Sequence, residues 1–175
     1  MKPILTVAAT VLLVSAGLAS GQSPKATETA TIGGKTITIK YSAPSVRGRK
    51  IFGEGGLLSN DPTYPVWRAG ANSATAFRTD ADLDVGGLAV PKGDYTIFVN
   101  VKDPDAWELV INKQTGQWGL TYDQGQDLGR VKMKMSKPAS KVEVMKYTMK
   151  DLGSNKGTLE LAWESHAGSV PLTVK

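Results

Sequence analysis

The alternation typical of β-strands is clear in two stretches of sequence, Tyr95-Thr96-Ile97-Phe98-Val99-Asn100-Val101 and Trp107-Glu108-Leu109-Val110-Ile111-Asn112. In each stretch a large apolar or aromatic side chain stands at every second position. This period of two is typical of a β-strand with one face on a core and the other in water, because successive side chains point to opposite faces. The turn-forming residues Asp103-Pro104-Asp105 separate the two predicted strands.

The same alternation recurs along the chain, and turn-forming residues separate the alternating runs. It is found at 36–41, 131–135 and 159–164, and the separators include Gly33-Gly34 and Gly153-Ser154-Asn155. Short strands at regular spacing with such turns are typical of a sandwich or barrel. The sequence therefore predicts one all-β domain over residues 22–175. Its expected architecture is an antiparallel, jelly-roll-like β-sandwich of about nine or ten strands.

Four local features refine this prediction. The alternation changes phase around Val144, which predicts a β-bulge. Pro171 has no N–H to donate, so the last strand is expected at a sheet edge. The polar segment 22–29 is expected to be a loose arm. Trp118 lies in a glycine-bearing segment and is expected to be partly exposed, whereas the other three tryptophans are expected in the core.

The N-terminus has the three-part pattern of a secretory signal peptide. A positive start, Met1-Lys2, precedes the uncharged run Ile4 to Leu18, and small residues close it. The pattern predicts a signal peptide over residues 1–21 that is cleaved after Ala19 or Gly21. An uncleaved anchor is the alternative, but the apolar run is shorter than the ~20 residues that a spanning helix needs. The mature protein is therefore expected to be periplasmic or secreted and to have no membrane span.

Composition narrows the classes of partner. The chain has 175 residues, no cysteine and one histidine, and its formal charge of +5 comes from basic residues that are spread along the sequence. This dispersal argues against a nucleic-acid partner, because nucleic-acid binders more often carry a basic stripe. The absence of cysteine excludes disulfides, thiol nucleophiles and zinc–thiolate sites.

Standard catalytic motifs are absent from the sequence. His166 has no Gly-x-Ser-x-Gly elbow to serve, and there is neither a P-loop nor a dinucleotide fingerprint. One histidine cannot assemble a histidine-based metal centre, so no metal site and no cofactor is predicted. A carboxylate-only calcium site around Asp123 and Asp127 is a minor alternative, because the spacing is not that of an EF-hand.

Candidate binding residues lie where the alternation breaks down, between Ser42 and Phe77 and again after Gln117. Irregular, glycine-bearing segments on a β scaffold often carry binding sites. The candidates are Arg47, Arg49, Arg68, Asn72, Trp118, Tyr122 and Arg130. Arginine and asparagine supply directed donors for an anionic or hydroxyl-rich ligand. An exposed tryptophan offers a stacking face for a sugar.

Several candidates also have a purely structural interpretation. Arg68 lies among small and aromatic residues, so its guanidinium is expected to form a buried pair with Asp123 or Asp127 if it binds no ligand. Arg47 and Arg49 flank a glycine in a predicted turn, and solvent exposure is the simpler interpretation of both.

Four segments carry a resemblance to a known family. They are Pro44-Ser45-Val46-Arg47-Gly48-Arg49-Lys50-Ile51-Phe52-Gly53, Trp67-Arg68-Ala69-Gly70-Ala71-Asn72-Ser73-Ala74-Thr75, Pro91-Lys92-Gly93-Asp94-Tyr95 and Gln117-Trp118-Gly119. Together they resemble the bacterial exported family catalogued as domain of unknown function 2911, from Ser23 to Lys175. The resemblance implies a β-rich domain behind a signal peptide, and it brings no established activity, ligand or catalytic residue. At 57–62 it implies a shorter loop with a basic residue, so the rim of any site is expected to differ in this chain.

Three functions remain open. The first is an exported, non-enzymatic β-sandwich that binds a small or polymeric ligand or an envelope partner. The alternative is a hydrolase acting on glycans or another envelope polymer, and the third is a structural envelope component. A polar cleft that contains Arg68 and Asn72 favours the first, and two close carboxylates in that cleft favour the second. An exposed apolar patch without a cleft favours the third.

Overall fold

The computed structural model describes residues 21–175, which form two antiparallel β-sheets. The signal peptide predicted for residues 1–21 lies outside the described residues, except for Gly21. Thirteen strands follow one another along the described chain: β1 (Lys25–Ile32), β2 (Lys35–Ser42), β3 (Val66–Trp67), β4 (Thr75–Thr79), β5 (Leu83–Val85), β6 (Leu88–Val90), β7 (Gly93–Asn100), β8 (Glu108–Asn112), β9 (Asp127–Lys132), β10 (Lys134–Ser136), β11 (Val142–Gly153), β12 (Lys156–Glu164) and β13 (His166–Val174).

The first sheet has the order β1-β2-β4-β7-β8-β9, with β3 beside β7. The second has the order β11-β12-β13-β5-β6, with β10 beside β13. The predicted all-β sandwich is confirmed. There are more strands than the sequence predicts because β3, β5, β6 and β10 have only two or three residues each. Consecutive long strands such as β7, β8 and β9 pair as hairpins within one sheet, an order more local than that of a jelly roll.

The main core lies between the sheets and contains the alternating residues of both. Ile97 and Leu109 come from the first sheet, Leu159 and Leu161 come from the second, and none of the four is more than 1 % exposed. Burying a side chain of this size stabilises the fold by about 1.5–3 kcal/mol. These alternating positions therefore supply much of what holds the two sheets together.

The outer face of β7 and β8 is also buried, contrary to the predicted contact with water. Phe98 and Val110 are fully buried there and form a second apolar cluster with Val66. The loop between β8 and β9 folds over this face and places the ring centroid of Tyr122 4.9 Å from that of Phe98. The alternation within β7 could not predict that its outer face is buried, because the loop that covers this face lies elsewhere in the chain.

Pro171 lies in a central strand, so the prediction that the last strand is an edge strand is wrong. On one side β13 pairs with β12 along nearly its whole length. On the other side β10 pairs with Ala167–Ser169 and β5 pairs with Leu172–Val174, which leaves Pro171 in the gap between them. The Pro171 carbonyl accepts the N–H of Gly86 at 3.0 Å. The Pro171 nitrogen has no hydrogen to donate, and in this gap no partner strand needs a hydrogen bond from it.

Two other local predictions are confirmed. The pairing of β11 with β12 shifts register between Val142 and Lys146, which is the bulge expected near Val144. Trp118 is 56 % exposed, whereas each of the other three tryptophans is 1 % exposed.

The N-terminal arm is mostly a strand, so the prediction that 22–29 is loose is wrong from Lys25 onward. β1 pairs with β2 along its whole length. Glu28 also accepts the N–H of Met149 at 2.8 Å, which ties the edge of the first sheet to β11 of the second. This strand is held by backbone hydrogen bonds to β2, so its polar side chains do not reveal from the sequence that it is a strand.

Helix is scarce in the described chain. Leu57–Asn60 and Gln124–Gln126 form short 3-10 helices. Across residues 21–175, no helix has the length and apolar character needed to cross a bilayer.

Candidate functional site

A cleft of about 410 Å³ opens beside the loops that follow β2 and β3. Its volume lies in the range of small-molecule sites. The polar lining includes Arg47, Arg49, Arg68, Asn60, Asp61, Ser23 and Ser45, and the apolar lining includes Leu57, Leu58, Leu120, Trp67 and Trp163. Three of the seven predicted binding residues therefore line one cleft.

The chain after β2 is held against β11 and turns sharply at Arg47. The N–H of Val46 donates to the carbonyl of Glu143 at 2.8 Å, and the N–H of Arg47 donates to the Glu143 carboxylate at 2.8 Å. Arg47 and Gly48 have φ values of 49° and 69°, and the N–H of Arg49 closes the turn on Val46 at 3.1 Å. A left-handed non-glycine residue is uncommon. Here the turn places two arginines in the lining of the cleft.

The three arginines of the cleft differ in what their guanidinium groups contact. Arg49 donates to the carbonyls of Val46 at 3.0 Å and Ser45 at 2.6 Å. Arg68 donates to Asp61 at 2.9 Å. The Arg47 side chain is exposed, and no ion pair within residues 21–175 includes it. Of the three, Arg47 is the one whose guanidinium makes no hydrogen bond or ion pair within residues 21–175.

Arg68 forms an ion pair, with Asp61 and not with the predicted Asp123 or Asp127. The Nη1–Oδ2 distance is 2.9 Å, and the side chains of Arg68 and Asp61 are 19 % and 9 % exposed. Gly119 lies against the arginine, since a Cβ at Gly119 would stand 1.9 Å from Cδ of Arg68. Nε of Arg68 is buried and has no acceptor among the described residues. This packing holds the guanidinium in one position at the wall of the cleft.

Asn72 and Trp118 lie beside the cleft and do not line it. Asn72 has a φ of 61°, and its carbonyl accepts the N–H of Gly119 at 3.0 Å. Ser73 pairs with Trp118 in an isolated bridge. These contacts join the β3–β4 loop to the β8–β9 loop, which also places Leu120 in the cleft lining. The exposed indole of Trp118 is therefore close in sequence and structure to the wall of the cleft.

Tyr122 and Arg130 belong to a separate polar cluster on the outer face of the first sheet. The Tyr122 hydroxyl donates to Asp127 at 2.7 Å, and Nη2 of Arg130 donates to that hydroxyl at 2.8 Å. Asn112 donates to Asp127 at 2.9 Å. Burial, followed by the hydrogen bond to Asp127, raises the pKa of Tyr122 to about 12. The cluster fastens the β8–β9 loop, and neither Tyr122 nor Arg130 lines the cleft.

The sequence analysis places the segment 57–62 at the rim of any site but does not name its members Leu57 and Asp61 as candidates, and it misses Leu120 and Trp163. The Asp61-Pro62 step in the irregular segment is a signal for Asp61, because such a step favours the start of a turn, and the carbonyl of Asp61 accepts the N–H of Tyr64 at 2.9 Å. Trp163 carried no such signal, since its place in the alternation of β12 predicts only a core residue. Among the described lining residues Asp61 is the single carboxylate, so the carboxylate pair of a glycan hydrolase is not found in this cleft.

Comparison with known proteins identifies the family. A family model described as "Protein of unknown function (DUF2911)" matches residues 23–172, from just before β1 into β13. Searches of curated proteins and of solved structures found no match. The family match covers the loops of the cleft together with most of both sheets. This chain belongs to the DUF2911 family.

Proposed function

We propose that this protein is an exported, non-enzymatic binding module whose cleft takes an anionic or hydroxyl-rich ligand. The supporting observation is Arg47, an exposed residue that lines the cleft and has no ion-pair partner within residues 21–175. Guanidinium groups match the oxygens of carboxylates and phosphates through paired N–H donors. Arg49 and Arg68 each donate to a protein acceptor, whereas no hydrogen bond or ion pair within residues 21–175 involves the guanidinium of Arg47.

The apolar lining indicates a ligand that has an apolar face as well as an anionic group. Leu57 and Leu120 are 39 % and 40 % exposed, and both line the cleft. Trp118 is 56 % exposed on the loop that carries Leu120. Exposed apolar and aromatic side chains of this kind pack against the apolar face of a sugar ring or a similar group. An acidic saccharide, free or within an envelope polymer, combines both properties.

The binding test compares the thermal stability of three proteins with inorganic phosphate, glucuronate and glucose as probes. The proteins are wild type, Arg47→Gln and the matched control Lys132→Gln, which removes one exposed positive charge outside the cleft lining. Glucuronate is expected to raise the melting temperature of wild type and Lys132→Gln and to have little effect on Arg47→Gln. A ligand at about 100 times its Kd adds about 2.7 kcal/mol of stability. Equal responses of all three proteins to every probe would contradict the proposal.

Export is the other part of the proposal, and it rests on the signal-peptide pattern of residues 1–21. Intact-mass measurement of protein from the periplasmic fraction is expected to show a chain that begins at Ser20 or Gln22. Recovery of a membrane-bound chain that still carries Met1 would contradict the cleavage.

A further inference from the structure

We propose a second site, separate from the cleft, in which Met135 and His166, with Met133 beside them, bind Cu(I) or its analogue Ag(I). Met135 and His166 line one cavity of about 180 Å³. Neither residue lines the arginine-bearing cleft. The site therefore does not depend on the binding function proposed above.

Strand register brings the thioether and the imidazole to the same face of the second sheet. Met135 of β10 stands directly opposite Gly168 of β13. His166 precedes Gly168 by two positions, and side chains two apart on a strand point to the same side. Met133 precedes Met135 by two positions, and its side chain approaches the same place. The pairing thus gathers three potential ligands from two segments.

Gly168 allows these side chains to converge because it has no side chain of its own. A Cβ at Gly168 would stand 3.2 Å from Sδ of Met135, 3.2 Å from Cε of Met133 and 2.9 Å from Cε3 of Trp107. The two methionine ends and the indole edge therefore surround one point. Methionine side chains are flexible, so rotation about the last bonds can turn both sulfurs toward a bound ion.

His166 is oriented as a metal-binding histidine is. Its Nδ1 lies 3.2 Å from Oε2 of Glu164, and its ring stacks on that of Trp107 at a centroid distance of 6.1 Å and an angle of 21°. A hydrogen bond from Nδ1–H to a carboxylate selects the tautomer in which Nε2 carries the free lone pair. The hydrogen bonds of this ring within residues 21–175 involve Nδ1 alone, which leaves Nε2 available.

The donor set determines the kind of ion. Thioether sulfur is a soft ligand that selects Cu(I), and imidazole also suits copper, whereas Mg²⁺ and Ca²⁺ prefer oxygen. Trp107 presents the edge of its indole to the point where the methionine ends converge, so it borders the site without offering a ring face to a cation. Asp105 and Lys137 complete the cavity wall with opposite charges. The sequence analysis excluded histidine-based and zinc–thiolate centres by counting histidine and cysteine, and the Met133-Lys134-Met135 spacing was outside that count.

The test measures Cu(I) affinity of the full mature protein, with ascorbate as reductant and bathocuproine disulfonate as competing chelator. Met135→Leu and His166→Gln each remove a ligand, and Met149→Leu is the matched control because Met149 is a buried methionine outside the cavity. Wild type and Met149→Leu are expected to bind one equivalent. Both ligand variants are expected to lose more than about tenfold in affinity, since even changes behind a ligand cost about 10–100-fold.

Carbon-13 NMR of the methionine methyl groups provides a second readout that does not depend on the variants. Ag(I) is expected to shift the methyl resonances of Met133 and Met135 and to leave those of Met145 and Met149 unchanged. The proposal is overturned if wild type shows no saturable binding, if all four proteins bind equally, or if the shifts fall on Met145 and Met149. Tighter binding of Zn(II) than of Cu(I) would overturn the assignment of a soft metal.

Discussion

The guanidinium of Arg68 meets the carboxylate of Asp61 at 2.9 Å, and this pair joins the start of the β3–β4 loop to the end of the short helix Leu57–Asn60. Asp61 also accepts the N–H and the hydroxyl of Thr63 through its other oxygen, at 3.0 Å and 2.8 Å. The carboxylate is therefore fully engaged by protein donors, and the wall of the cleft depends on it.

Arg68→Ala is expected to lower the free energy of unfolding by about 3 kcal/mol, because it leaves the nearly buried Asp61 without a counter-charge. The value is at the lower end of the range for buried pairs, since the Arg68 side chain is 19 % exposed. Urea denaturation measures the change. Arg47→Ala is the control, with an expected change within about 0.5 kcal/mol. A loss below about 1 kcal/mol for Arg68→Ala would show that the pair behaves as a surface ion pair.

Gly119→Ala is expected to destabilise the protein by about 1–3 kcal/mol through overpacking. Its methyl group would stand 1.9 Å from Cδ of Arg68 and 2.3 Å from the carbonyl oxygen of Asn72, which is backbone and cannot move aside cheaply. Gly125→Ala is the control, because its nearest contact is a side-chain oxygen of Asp123 at 3.1 Å. Thermal unfolding of the two variants compares them directly. Equal melting temperatures would contradict the close packing of Gly119.

Tyr122→Phe is expected to cost about 1.5–3 kcal/mol near neutral pH, because the lost hydroxyl donates to a charged carboxylate, Asp127. Burial raises the pKa of Tyr122 to about 12. A phenol whose pKa is higher in the folded chain contributes stability that is fully present below the unfolded value of about 10. That contribution is lost as the pH rises through about 12.

Urea denaturation at about pH 8 and about pH 11 tests this dependence. Wild type is expected to exceed Tyr122→Phe in free energy of unfolding by less at the higher pH than at the lower one. Burial also raises the pKa of Tyr95 and Tyr147. Both residues are present in wild type and in Tyr122→Phe, so their contribution to the pH dependence of stability cancels when the two proteins are compared. Tyr64→Phe serves as the control, because Tyr64 is 38 % exposed. A difference that stays constant with pH would contradict the raised pKa.

Leu161→Ala is expected to lower the free energy of unfolding by about 2–5 kcal/mol, because it leaves a cavity in the main core. Leu161 is 1 % exposed on β12, whereas Leu152, at the end of β11, is 65 % exposed. Leu152→Ala is therefore the matched control, with an expected change within about 0.5 kcal/mol. Similar denaturation midpoints for the two variants would contradict the placement of Leu161.

The arginines of the candidate site show how far sequence reasoning reaches. Arg47, Arg49 and Arg68 were predicted because they lie in a segment without alternation, and all three line the cleft. Tyr122 and Arg130 were predicted on the same ground, yet they contact Asp127 on the outer face of the first sheet. Tyr122 lies in the loop between β8 and β9 and Arg130 lies in β9 itself, so a break in alternation shows neither where a loop ends nor which face of the sandwich it covers.

The β-sandwich, the bulge near Val144 and the exposure of Trp118 could all be predicted from the amino-acid sequence, because strand period and neighbouring glycines act over a few residues. Three features depend on strand order and register in the folded chain: Arg68 pairs with Asp61, Pro171 lies in a gap of a central strand, and Met135 and His166 line one cavity. Each of these contacts joins separate segments of the chain. Their partners follow from strand order and register, which the alternation of a single strand does not specify.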